Sequence, residues 1–108
     1  MEKCTLLLKK ILGEGIYLKL LWITFRNLMK KNKGLKVKEF IEAIHFNHQA
    51  LLFIALQKAE GIDKNDIEKS LQWKKEKVSR YILTDNVFEF FNIYKDFIDE
   101  IVIFINRK

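Results

Sequence analysis

From residue 87 to residue 105 an apolar side chain recurs every three or four positions, at Val87, Phe90, Phe91, Tyr94, Phe97, Ile98, Ile101 and Ile105. Such spacing lines one face of an α-helix for more than four turns. The tail Ile101-Val102-Ile103-Phe104-Ile105 is rich enough in β-branched residues to form a strand instead, and periodicity alone leaves that end open. A helix with so broad an apolar stripe needs other elements to cover it.

The rest of the chain supplies helical patterns. Lys3 to Leu12 reads as a short helix ended by Gly13-Glu14-Gly15. Ile16 to Lys31 is apolar around most of its circumference, with Lys19, Arg26, Asn27 and Lys30 as a narrow polar stripe, so it has to be buried from several sides or packed on a second subunit. Asn32-Lys33-Gly34 is a stop. Val37, Phe40, Ile41 and Ile44 make Lys36 to about Phe46 amphipathic, and Asn47 is placed to cap a further helix that ends at Glu60-Gly61. Asp63 is an N-cap candidate for Lys64 to Leu71, a turn is expected at Gln72-Trp73, and Lys74 to Leu83 follows as another helix. Proline is absent and there are only four glycines, too little punctuation for a strand-rich sandwich or barrel. The expectation is one all-α domain over residues 1–108, compact and of five to six helices, in which 16–31 and 87–105 serve the core and dimerisation.

Cys4 has no partner for an intramolecular disulfide and no His/Cys set at metal spacing around it. The first residues lack the pattern of a secretory leader, and Ile16 to Phe25, interrupted by Lys19, is about half of a membrane span. A cytoplasmic protein without metal, cofactor or membrane partner is expected. The Lys- and Ile-rich, Arg-poor composition is what AT-rich genomes write, such as those of viruses, plasmids or archaea. No phosphate-binding glycine loop, nucleophile elbow or Cys-His neighbourhood is present, so enzymatic activity is not expected. His45 and His48 stand three apart with no third ligand nearby, and Trp22 and Trp73 sit inside apolar periodicity as core residues do.

The net charge is +6 and the pI near 9.4, values that suit a polyanionic partner. Placement matters more than the sum. Arg26, Lys30, Lys31, Lys33, Lys36 and Lys38 follow one another with no acid between them, and Lys69, Lys74, Lys75, Lys77 and Arg80 are opposed only by Glu76. Asp85, Glu89, Asp96, Asp99 and Glu100 face only Lys95 within the last segment.

The second basic group falls in a pattern that suits DNA. Ile67, Leu71, Trp73, Val78 and Tyr81 have the spacing of the core positions of a helix-turn-helix spanning 63–83, which leaves Lys74, Lys75, Glu76, Ser79 and Arg80 outward. The run Asp66 to Ile82, with Val78-Ser79-Arg80 in its second helix, resembles the reading unit of winged-helix and related helix-turn-helix regulators. With the helix that precedes Gly61, the order over about residues 47–83 is similar to MarR-type repressors. Glu68 stands where a small residue is usual and Gln72 where a glycine is usual, and no Gly-containing hairpin follows, so the resemblance implies a wing that is reduced or absent. It also implies a homodimeric, sequence-specific transcriptional regulator of double-stranded DNA. Lys69, Lys74, Lys75, Lys77, Ser79 and Arg80 would contact DNA, and Lys31, Lys33, Lys36 and Lys38 would add phosphate contacts.

Other readings use the same residues. Ile67 to Tyr81 also fits two packed helices of no nucleic-acid function, and lysine runs are commonly solvated faces. The alternative class is a helical protein-interaction module without DNA binding, an adaptor or inhibitor that docks a partner through apolar surface such as the Phe-rich C-terminal helix. Non-specific coating of DNA is a third.

Overall fold

In a computed structural model of the chain, which describes the backbone of residues 2–78 and 81–107 and the side chains of 3–71 and 81–107, five α-helices follow one another. They are α1 (Glu2–Leu12), α2 (Glu14–Lys31), α3 (Val37–Ala59), α4 (Lys64–Val78) and α5 (Val87–Ile105). No strand occurs among the described residues. The fold is all-α, and the end of α5 that was open to a strand is helical as far as Ile105.

α3 and α5 form the principal helix pair; α1 and α4 each pack on both, and α2 packs on α1 and α3. Ala43, Ala50, Leu51, Ile54 and Ala55 of α3 and Phe90, Phe91, Tyr94, Phe97, Ile98 and Ile101 of α5 enter a buried cluster that all five helices share. The Cα radius of gyration, 13.3 Å, is that of a single compact unit of this length. A polar contact between helices lies within this interior, between the hydroxyls of Thr24 on α2 and Tyr94 on α5 at 2.7 Å.

The helix ends follow from local chemistry. Gly13 alone separates α1 from α2, at φ 82°, and Glu14 and Gly15 already belong to α2. α3 closes with Gly61, also at φ 82°: the Ile62 N–H donates to the Gln57 carbonyl and the Gly61 N–H to that of Lys58, both at 3.0 Å. These two bonds satisfy the last carbonyls of the helix, which needs a residue tolerant of positive φ at 61. Asn86 caps α5, its side-chain oxygen accepting the N–H groups of Phe88 at 2.8 Å and Glu89 at 3.4 Å.

Two expected breaks are missing. α3 runs straight through Asn47, because its side chain caps nothing. The amide of Asn47 donates to the Ala43 carbonyl at 2.8 Å and to the Tyr81 carbonyl at 2.6 Å, and its oxygen accepts the Leu83 N–H at 3.1 Å. With those partners found across the fold, a buried Asn remains inside a helix at little cost. Likewise α4 continues through Gln72 and Trp73, where a turn was expected. Lys64 to Val78 contains neither glycine nor proline and is rich in good helix formers, so nothing in it forces a turn. The turn expected at Gln72-Trp73 is therefore corrected to continuous helix, while Ser79 and Arg80 of the expected second helix lie outside the described residues. Ile67 and Leu71 are buried one turn apart on this helix.

Candidate functional site

The outward side of α2 is the surface that departs most from an ordinary soluble helix. Its inner stripe, Tyr17, Leu20, Thr24 and Leu28, is buried. Thr24 would be an isolated polar group there, but its hydroxyl donates to the Leu20 carbonyl at 2.9 Å and also pairs with Tyr94. One position further round, Leu18, Trp22, Phe25 and Met29 recur at the same helical spacing and are exposed, Trp22 to 62%. The reading of Trp22 as a core residue is thus corrected: the chain has more apolar stripe on α2 than α1, α3 and α5 can cover. Trp73 lies among the side chains outside the described set.

The exposed stripe does not end with α2. The Phe25 ring packs against Phe40 of α3, centroids 5.5 Å apart, and beside Phe40 the first turns of α3 present Val37, 76% exposed, and Ile41, 51% exposed. Leu18, Trp22, Phe25, Met29, Val37 and Ile41 together leave roughly 600 Å² open to water, at the upper end of what monomeric proteins expose in one patch. By contrast, α5 buries Val87, Phe90, Phe91, Tyr94, Phe97, Ile98 and Ile101 inside its own chain. Its large exposed apolar residue is Ile103, so the Phe-rich helix is core and the apolar surplus sits on α2, α3 and, at Leu6 and Leu7, α1.

Charge is segregated around this face. Arg26 and Lys30 border its C-terminal half, and Lys33, Lys36 and Lys38 follow, all exposed. Lys31 is a tie within the fold: its ammonium donates to the Ile82 carbonyl at 2.8 Å and to Asp85 at 2.9 Å. This contact sets the end of α2 against the segment after α4, and Val78 is four residues from Ile82 and so within about 14 Å of it. Of the residues expected on DNA, Lys69 is exposed on α4; Lys74, Lys75 and Lys77 belong to α4 with side chains outside the described set, and Ser79 and Arg80 lie outside the described residues. At the opposite end of α2, Glu14 is exposed, and Asp96 and Glu100 of α5 line a groove with Ile16, Lys19 and Ile23.

Reactive groups are few and muted. Burial pushes the Cys4 thiol above its ordinary value, which keeps it protonated near neutrality. His48 is buried, its ring 5.7 Å from that of Tyr17 in an edge-on arrangement, and neither ring nitrogen has a hydrogen-bond partner among the described residues. Desolvation, with His45 nearby as the smaller cause, lowers its pKa to about 4, so the imidazole is neutral at physiological pH. No group of three or more His, Cys, Asp or Glu that could hold a metal ion occurs among the described residues. Among those residues, too, no helix is long and apolar enough to cross a membrane. No protein-family model, curated protein or solved structure matches the chain.

Proposed function

We propose that this chain is a helical protein-interaction module whose working surface is the outer face of α2 continued onto the start of α3. The observation that carries it is the exposed apolar set Leu18, Trp22, Phe25 and Met29 on one side of α2, with Val37 and Ile41 beside the Phe40 ring against which Phe25 packs. Rings and long aliphatic chains held on rigid helices are the kind of surface from which interface anchors are drawn, and leaving them in water is unfavourable. A photocrosslinking amino acid placed at Leu18 in cells is expected to give a protein adduct, while one at Gln49, exposed on α3 outside this row, gives none. Equal yields at the two positions would remove the assignment.

A second reading, double-stranded DNA binding, is supported by the net charge of +6 and the exposed run Lys33, Lys36 and Lys38. Lacking a turn at Gln72-Trp73, it draws on phosphate contacts from Lys33, Lys36, Lys38 and Lys69 rather than on a separate reading helix, and sequence-specific regulation by a homodimer is its finer form. Changing Lys33, Lys36 and Lys38 together to Ala should then flatten the log–log salt dependence of duplex binding by up to about 2.7, or ~0.9 for each phosphate that a lysine no longer neutralises. An unchanged slope would leave this end without a role in binding DNA.

A further inference from the structure

We draw no further inference here: the strongest candidate, the exposed apolar face of α2 continued onto the start of α3 by Val37 and Ile41, belongs to the site already described, and nothing in the structure shows what covers it.

Discussion

The side-chain oxygen of Asn47, in the middle of α3, accepts the backbone N–H of Leu83 at 3.1 Å. Through the same side chain α3 also holds the Tyr81 carbonyl at 2.6 Å, so one amide pairs with two backbone groups of the chain ahead of α5. The chain between α4 and α5 is docked on the core by this contact and by Lys31 on the Ile82 carbonyl.

Asn47→Ala should therefore destabilise the protein by about 2–4 kcal/mol, since it strands the buried Leu83 N–H and the part-buried Tyr81 carbonyl rather than deleting a pair. Asn47→Asp should be no better at neutral pH, because a carboxylate cannot donate to the Tyr81 carbonyl. Urea unfolding measures both; a loss below about 1 kcal/mol for the alanine variant would mean that water satisfies these groups as well as Asn47 does.

His48 makes stability fall in acid. In the unfolded chain the imidazole takes a proton near its ordinary pKa of 6.5, whereas in the fold it does not until about pH 4. Between those values the unfolded state binds more protons, so stability declines as pH drops from about 6.5 and levels off below about 4, by about 3 kcal/mol in full. His48→Leu, which removes the charge and its two unpaired nitrogens at similar volume, should flatten that part of the profile. Persistence of the full slope in the leucine variant would assign it to other groups.

Thr24 and Tyr94 should be coupled. A double-mutant cycle with Thr24→Val and Tyr94→Phe is expected to show roughly 0.5–1.5 kcal/mol of interaction, as one buried hydroxyl pair is removed from each side. Burial also pushes the Tyr94 phenol well above its ordinary range, with the Thr24 hydrogen bond opposing that only in part. In an alkaline absorbance titration Tyr94 should ionise only as the protein unfolds, whereas in the Thr24→Val variant the fold itself should give way at lower denaturant.

Gly61→Ala should cost about 1–2 kcal/mol although a methyl group there would touch nothing, because the penalty lies in the backbone at φ 82°. Gly34→Ala is the control: Gly34 has equally open surroundings but no positive φ, so the change should be neutral or slightly stabilising. Thermal unfolding of the pair checks the sign of each.

Much of this fold is readable in the sequence because it depends on local periodicity. The stripe from Val87 to Ile98 and the stop at Gly61 are examples, each settled by spacing or by backbone freedom within a few residues, whereas spacing leaves 101–105 open between helix and strand. Asn47 and the Gln72-Trp73 step mislead for opposite reasons. At Asn47 a residue with strong capping preference is held inside a helix by partners thirty-four and thirty-six residues away, which no window along the chain contains. At Gln72-Trp73 a spacing template implies a turn, while the helix-forming residues themselves give no reason to stop. The working face is half visible. The excess of apolar residues on α2 is plain in the sequence, but whether α5 or α2 keeps its surplus outside depends on which helix lies at the centre, and that is decided by packing.

A single residue, Gly13, separates the first two helices, at φ 82°. Were its backbone to turn to helical angles, residues 2–31 would fuse into one rod about 45 Å long, more than the 43 Å length of the entire molecule, and Leu8 and Leu12 would be drawn out of the interior. The hairpin of α1 and α2 thus depends on the one residue type that lacks a reason to prefer the rod.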